Sequence, residues 1–433
     1  MDRDVLSSNA RRRAAAIANL RAQGPDGLTQ LAALRDARLQ QLADVPATEA
    51  SLAALQAERE KFDAAFDEVG GAKYCSASRL FWYTNLDEAK QAAEFENKPI
   101  LCLRMLGKLN EEFSCANSRF FRTSLYANAE ISQTLRDKFI LHWGSVRPVP
   151  KVTIDFGDGR TLERTLTGNS IHYVVDKTGR PLDGLPGLYG PQAFREWLAR
   201  AATLATDYEA AAPAKRATLL NNYHANRLQA IQSAWQEDLK KLDASIVALP
   251  VQAQAQANQA PPPAARAAGL TRPKAAIEMR IIHEVSPAGQ PLPNSVDALS
   301  DTQWEQLATL HVRDAELDRA SIELMRAQNP AAAAGELSVT KARVEDPLLR
   351  MVRSFQSSIA LDTVRNEYVL HRQLHEWFVA SEVPATLDPL NERVYAQLFL
   401  TPSSDPWLGL LPANTYTALK NNGVERSAVS KPE

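Results

Sequence analysis

The sequence predicts a mixed α/β domain, residues 72–205, flanked on both sides by mainly α-helical regions. Short β-branched and aromatic runs alternate with helical patterns only between residues 74 and 205. Before and after this stretch, apolar residues recur at three- and four-residue steps, as on amphipathic helices. The 433 residues also exceed one domain of roughly 150 residues. We therefore expect a helical region 1–71, the α/β domain 72–205, a helical segment 206–249, a linker 250–275 and a mainly helical C-terminal domain 276–433.

Composition limits the classes of function. Against 51 Asp and Glu there are 49 Lys and Arg, so the net charge is -2, which argues against nucleic-acid binding because phosphate contacts need a basic surplus. Three cysteines cannot all pair within the chain, which excludes a disulfide-rich scaffold. No apolar run reaches the ~18 residues of a membrane span, and the first residues lack the apolar core of a secretory signal. We expect a cytoplasmic protein, or alternatively an extracytoplasmic one whose signal has been removed.

The N-terminal region predicts three helices. Gly24-Pro25 and Val45-Pro46 interrupt the helical pattern, and Thr48 followed by Ser51 is a suitable start for the third helix. These helices form either an interaction arm for a partner or a hairpin packed on its own domain, and the second interpretation is favoured. The oligomeric state is not determined by the sequence.

The α/β domain is predicted from local patterns and turn residues. Asn85 is a suitable cap for a helix within Phe81–Phe95, and Pro99 ends that helix. The remaining elements expected are strands at 100–106, 139–143 and 171–175, helices from about 114, at 129–138 and at 191–202, and a hairpin of 152–156 with 161–166.

The C-terminal third is predicted to be mostly helical, with the clearest helices at 300–328 and 345–380. Residues 252–268 are rich in Ala, Gln and Pro and offer little to bury, which indicates an exposed linker. Residues 398–412 form a Pro-rich apolar loop, which is either a strap across the helical domain or a partner-binding tail.

Trp82 to Leu198 resembles the thioredoxin-like domains that carry a Cys-x-x-Cys site. WYTNLDEAKQAAEFENKPILCL resembles the lead-in helix and central strand, and SCANSRFFRTSLYANAEISQTLRDKFILH resembles the active-site helix, second helix and third strand. NSIHYVVDKTGRPLDGLPGLYGPQAFREWL resembles the closing hairpin and terminal helix. The resemblance covers about 120 of the 433 residues. It implies that Cys115 stands at the nucleophilic cysteine and Ser118 at the resolving one.

Three departures from that family bear on function. Phe113-Ser114 replaces the tryptophan before the first cysteine, and Ser118 cannot form a disulfide with Cys115. The cis-proline of the family would fall at Asn169-Ser170, where a non-proline cis bond would cost about 2.5–4 kcal/mol, so we expect a trans peptide. We therefore expect a thioredoxin-like protein that has lost dithiol exchange and serves as a non-catalytic scaffold or protein-interaction module. Its helical regions would bind a protein partner.

The alternative is a redox-linked protein, a thiol-dependent oxidoreductase if it is an enzyme, that uses Cys115 alone. A thiol at a helix N-terminus meets the positive end of the helix dipole, Arg119 and Arg122 follow within two turns, and Ser118 could donate a hydrogen bond to the sulfur. Such a monothiol forms mixed disulfides or glutathione adducts, or senses peroxide. The competing interpretation of Cys115 is a buried, inert residue.

Three further residues of the domain have a less definite role. His172 follows Asn169 and Ser170, so it is either a base beside the sulfur or a strand residue on the face opposite Ile171 and Tyr173. Cys102 lies within the predicted central strand and is expected in the core. Cys75 is either an exposed thiol or an edge residue.

A second candidate site lies in the C-terminal helix. Glu367, His371 and His375 are spaced i, i+4 and i+8, which places them along one helical stripe. Two histidines four residues apart with a carboxylate are a recurring ligand set for transition metals, and such a site would need a further ligand from elsewhere. The competing interpretation is a polar stripe packed against a neighbouring helix. No other cofactor is expected.

Overall fold

The computed structural model describes residues 2–242 apart from 47 and 167, and then 301–330, 347–408, 418–420 and 424. Within this part, helices surround a mixed five-stranded sheet, which confirms the predicted α/β class with helical regions on either side. The predicted linker, 250–275, lies outside the described residues. The domain boundaries therefore stay a prediction. No helix in the described ranges is long and apolar enough to cross a membrane.

The N-terminal region confirms the three predicted helices. After a short 3-10 turn at Asp2–Leu6 come α1 (Ala10–Ala22), α2 (Pro25–Ala43) and α3 (Glu49–Gly70). Gly24, with φ of 64°, makes the sharp turn into α2, where Pro25 occupies the first helical position. Thr48 caps α3 through two reciprocal hydrogen bonds. The Thr48 side chain accepts from the Ser51 backbone N–H, and the Ser51 hydroxyl accepts from the Thr48 backbone N–H.

The start of the sheet domain differs from the prediction. A short helix, α4 (Cys75–Ser78), precedes strand β1 (Trp82–Tyr83), and α5 covers Leu86–Glu96. The helix predicted within Phe81–Phe95 begins after its predicted cap, Asn85, and the residues before that cap form a strand that was not predicted. Asn85 accepts hydrogen bonds from the first-turn backbone of α5, so the helix cannot extend back past it. Buried Trp82 instead pairs in parallel with Leu141.

The central elements follow the predicted order. They are β2 (Ile100–Leu106), α6 (Ala116–Phe120), a π-helical turn (Phe121–Leu125), α7 (Ala129–Lys138) and β3 (Ile140–Arg147). Strands β2 and β3 are parallel, with Ile100 opposite Ile140. Apart from Arg104, strand β2 is apolar and buried, as expected of a central strand that is covered on both faces.

Two antiparallel hairpins follow. The first, β4 (Lys151–Asp155) with β5 (Thr161–Thr165), confirms the predicted hairpin but forms a separate two-stranded sheet. The second, β6 (Ser170–Val175) with β7 (Pro181–Pro186), joins the main sheet through β2. The strand order in the main sheet is β1-β3-β2-β6-β7.

Helices complete the described chain. They are α8 (Pro191–Ala210), α9 (Pro213–Lys241), α10 (Asp301–Thr309), a 3-10 turn (Val312–Ala315), α11 (Arg319–Gln328), α12 (Pro347–Arg365), a π-helical turn (Asn366–His371), α13 (Arg372–Val379), α14 (Leu387–Arg393) and a last π-helical turn (Val394–Leu398). The predicted end of α8 at residue 202 is wrong, because Leu204 and Tyr208 are buried and keep the helix packed to Ala210.

The C-terminal helices share a hydrophobic core with the sheet. Leu374 lies against Gly184 of β7. A Cβ atom at position 184 would be only 2.9 Å from a methyl group of Leu374. The Asn366 side chain donates to the Leu188 carbonyl at 2.8 Å, and the Gly190 N–H donates to the Thr363 hydroxyl at 2.8 Å. Edge strand β7 is thus covered by residues from the far end of the chain.

Candidate functional site

The predicted thiol site is closed to solvent. Cys115 is the N-cap of α6, its backbone N–H donates to the Leu106 carbonyl at 3.1 Å, and the residue is 0% exposed. Its sulfur donates to the Ser118 hydroxyl oxygen at 3.3 Å, while that hydroxyl lies 2.7 Å from both the Cys115 carbonyl and Ser114 Oγ. Ser118 has one proton, and it is directed at these oxygens. The donation from Ser118 to the sulfur that the sequence suggested is therefore wrong, because the sulfur is the donor in this pair.

The two arginines near Cys115 are held by other groups. Arg122 is buried and donates to the carbonyls of Leu109 and Glu111 and to Ser114 Oγ. Burial lowers the pKa of this guanidinium. Arg119 donates to Thr165 Oγ1 at 3.1 Å. The guanidinium groups therefore connect neighbouring loops and strands.

The loop at Asn169 and Ser170 is bonded to the C-terminal segment. The Asn169 carbonyl accepts from the Tyr395 hydroxyl at 3.1 Å, and the Asn169 amide donates to Thr401 Oγ1 at 3.2 Å. No peptide bond in the described residues is cis, so the trans peptide expected before Ser170 is confirmed. The carbonyls of Thr401 and Asp405 accept from Arg147 of β3, so this segment is bonded to the sheet as well as to Glu392 of α14, whereas the predicted strap lay across the helical domain.

His172 pairs with Tyr126. Its Nε2 lies 2.7 Å from the Tyr126 hydroxyl, and its ring packs against Phe121 and Phe194. Burial lowers the pKa of His172 to about 3, so the imidazole is neutral. The geometry favours the second interpretation, that of a strand residue packed in the core.

The other two cysteines are also buried. Cys102 lies inside β2, as predicted, and burial raises its pKa to about 12. Cys75 is an interior residue whose sulfur donates to the Ala72 carbonyl at 3.1 Å, and burial raises its pKa. Neither thiol is placed to react with a solvent-borne molecule.

The structure brings together the predicted trio of Glu367, His371 and His375. His371 Nδ1 lies 2.7 Å from Glu367 Oε2, and the two imidazole rings are 4.2 Å apart. Both histidines are 0% exposed. The trio faces the interior, toward β7, although the chain between residues 366 and 371 is a π-helical turn and not the regular α-helix that was expected.

Two residues of this cluster were not found from the sequence. Asp183 of β7 places Oδ1 3.9 Å from His371 Nε2, and the ligand atoms of Asp183, His371 and His375 lie within 4.8 Å of one another. His224 of α9 places Nδ1 2.7 Å from His375 Nδ1. The available signal was an aspartate inside the apolar strand PLDGLP, because a buried acid needs partners. Its other oxygen accepts from Tyr223 Oη at 2.8 Å and Trp197 Nε1 at 3.1 Å.

Hydrogen bonds define the tautomer of each imidazole. His224 Nε2 lies 3.0 Å from the Leu182 carbonyl, which can only accept, so this nitrogen carries the proton. Nδ1 of neutral His224 then accepts from His375 Nδ1. In the same way, His371 donates its Nδ1 proton to the Glu367 carboxylate. When His371 and His375 are neutral, each therefore carries a lone pair on Nε2, and His371 Nε2 lies 3.9 Å from Asp183 Oδ1.

Charge and burial compete in this cluster. Burial lowers the pKa of His375 well below its ordinary value and that of His224 to about 4, so both are neutral. Burial would raise the pKa of the Asp183 carboxyl, but the surrounding histidines outweigh it and hold that pKa below its usual range. For His371 the carboxylates of Glu367 and Asp183 outweigh burial and raise the pKa. The interior thus holds the Asp183 carboxylate among imidazoles, while Glu367 is half-buried and also lies 3.3 Å from Arg227.

Comparison of the chain with protein-family models, curated proteins and solved structures finds no match in any of the three.

Proposed function

We propose that the chain is a thioredoxin-like protein that has lost thiol chemistry and acts as a non-catalytic scaffold for a protein partner. The observation that carries this proposal is the complete burial of Cys115, together with the hydrogen bonding of its neighbouring loop to the C-terminal segment. A thiol exchanges disulfides only when its thiolate can reach the other sulfur. Cys115 would need the covering chain to move first.

The order of elements supports the thioredoxin-like assignment. A central strand leads to Cys115 and its helix, and a second helix, a third parallel strand, an antiparallel hairpin and a final helix follow. This is the order that the sequence resemblance implies. The departures at Ser118 and Ser170 support the loss of dithiol exchange.

The N-terminal helices are the part that we propose for partner binding. Between Leu31 and Phe62, the described residues of α2 and α3 include no buried side chain. These outer halves contact one another, for example through Arg38 and Glu58 at 3.1 Å. Leu52 of α3 and Val45, in the connection between the two helices, are exposed. A two-helix arm with exposed apolar residues suits a surface that another protein covers.

Thiol labelling of the whole protein tests the non-catalytic assignment. Under native conditions we expect none of the three buried cysteines to react readily with a water-soluble disulfide reagent, and all three to react after unfolding. Labelling of native Cys115 at the rate of a free thiol of pKa about 8.5 would favour the monothiol alternative instead.

A photo-crosslinking residue at position 52 tests the partner surface. It should give a discrete crosslinked product, and the same residue at exposed position 153 of the β4–β5 hairpin should not. Equal crosslinking at both positions would contradict a dedicated surface on α2 and α3.

A further inference from the structure

We propose that Asp183, His371 and His375 bind one divalent transition-metal ion, and that Glu367 and His224 orient its two imidazole ligands. This site is independent of the scaffold function. It differs from the set expected from the sequence, because Asp183 replaces Glu367 as the carboxylate ligand.

The three donor atoms converge on one small interior space. They lie within 4.8 Å of one another, and His371 Nε2 is 3.9 Å from Asp183 Oδ1. Tetrahedral ligation at about 2.1 Å places donor atoms about 3.4 Å apart. Small side-chain rotations would therefore close the group around an ion, and no backbone rearrangement is needed.

Each imidazole is fixed from behind, as metal-ligating histidines usually are. His371 Nδ1 is bonded to the Glu367 carboxylate at 2.7 Å, and His375 Nδ1 is bonded to His224 at 2.7 Å. The second oxygen of Asp183 is occupied by Tyr223 and Trp197. Asp183 Oδ1 accepts from the Gly184 N–H at 2.8 Å and keeps a second lone pair, while the Nε2 atoms of His371 and His375 have no partner, so these three atoms can still take an ion.

The facing nitrogens have no hydrogen-bond partner. Nε2 of His371 and Nε2 of His375 are both buried and unpaired, whereas nearly all buried polar atoms in proteins are bonded. A proton on His371 would leave His375 Nε2 unpaired. One metal ion accounts for both nitrogens and also balances the buried Asp183 carboxylate, whereas the half-buried Glu367 already has Arg227 at 3.3 Å.

The ligand chemistry selects the class of ion. Two imidazole nitrogens and one carboxylate oxygen suit Zn(II), Fe(II) and related first-row ions, whereas Ca(II) and Mg(II) prefer oxygen ligands alone. Tyr223, which holds Asp183, also lines an open groove of about 970 Å³ beside α8 and α9. The ion would tie α13 and the preceding turn to strand β7.

Zinc binding to the full chain, purified without a His-tag and stripped with a chelator, tests the proposal. We expect about one equivalent of zinc to be retained after dialysis, as for an all-protein site. Zinc should also raise the Tm, because an ion that binds only the folded state stabilises it. Retention of less than about a tenth of an equivalent with no change in Tm would overturn the proposal. This measurement needs no variant, so it does not depend on how a variant folds.

Variants then identify the ligands. His375→Gln and Asp183→Asn should abolish stoichiometric binding, while Glu367→Gln should weaken it by about 10–100-fold, the usual effect of losing a partner behind a ligand. The matched control is His172→Gln, which removes a buried imidazole outside the cluster and should bind zinc like the wild type. Wild-type affinity in folded His375→Gln, or equal loss in His172→Gln, would overturn the ligand assignment.

Discussion

Substitution of Tyr395 should make Cys115 reactive without unfolding the sheet. The Tyr395 ring is 1% exposed, and its hydroxyl donates to the Asn169 carbonyl at 3.1 Å. Burial raises the pKa of Tyr395 well above its ordinary value, and a charge on nearby Cys115 would raise it further. We therefore expect opening of the segment around Tyr395 to be the step that admits a reagent to the sulfur.

The size of the effect follows from the contacts removed. Tyr395→Phe leaves the Asn169 carbonyl without its buried partner, which costs about 1–3 kcal/mol. Tyr395→Ala also removes a buried ring, which costs about 3–5 kcal/mol. Because about 1.4 kcal/mol is a tenfold change, the fraction of open molecules should rise about 5–150-fold in the first variant and about 150–4,000-fold in the second.

Mass spectrometry after timed alkylation under native conditions measures each cysteine separately. The labelling rate of Cys115 should rise in the order wild type, Tyr395→Phe, Tyr395→Ala. Cys102, inside β2, is the internal control, and its labelling rate should rise less than that of Cys115. Equal acceleration of both cysteines would show that the variants open the whole fold, and would refute a local cover over Cys115.

Two further predictions concern stability. Asp318 caps α11 by accepting from the Ser321 N–H, and it also accepts from the Ala129 N–H of α7. Asp318→Ala should therefore lower the free energy of unfolding by about 1–2 kcal/mol in urea titrations. No change in that free energy would contradict both roles. His172 is neutral when folded, with a pKa of about 3, but takes up a proton below about 6.5 when unfolded, so it lowers stability as the pH falls through that window. At pH 5 this amounts to about 2 kcal/mol, so His172→Gln should flatten the loss of unfolding free energy between pH 7 and 5; parallel curves would contradict it.

Structural elements that are determined by contacts between residues close in sequence could be predicted from the sequence. The caps at Thr48 and Asn85 were identified correctly because each bonds to backbone only two or three residues away. Strand β1 was missed because two residues are too short for a period-2 pattern, and only pairing with β3 makes them a strand. The end of α8 was placed too early because its last turns are held by tertiary packing.

The same distinction applies to the buried cluster. Glu367, His371 and His375 could be grouped from the sequence because helical spacing is local. Asp183 and His224 lie more than 140 residues away from His375 in sequence and about 40 residues from each other, so no local pattern connects them with the trio. The role of Glu367 also depended on the fold, since its distance to His371 shows it behind the imidazole and not beside Asp183.

The C-terminal segment links the two candidate sites. Residues 366–375 supply the imidazoles that face Asp183 on β7, and Tyr395 and Thr401 hold the loop that leads into β6. Strands β6 and β7 form one hairpin, so the C-terminal segment contacts this hairpin at both of its strands. A redox domain needs the surface around its reactive thiol open to a substrate. Here the chain's own C-terminal segment packs near Cys115 instead. A metal ion between β7 and α13 would strengthen the same contact. The closure of Cys115 and the cluster at Asp183 are therefore consequences of one feature, the docking of the C-terminal helices on the edge of the sheet.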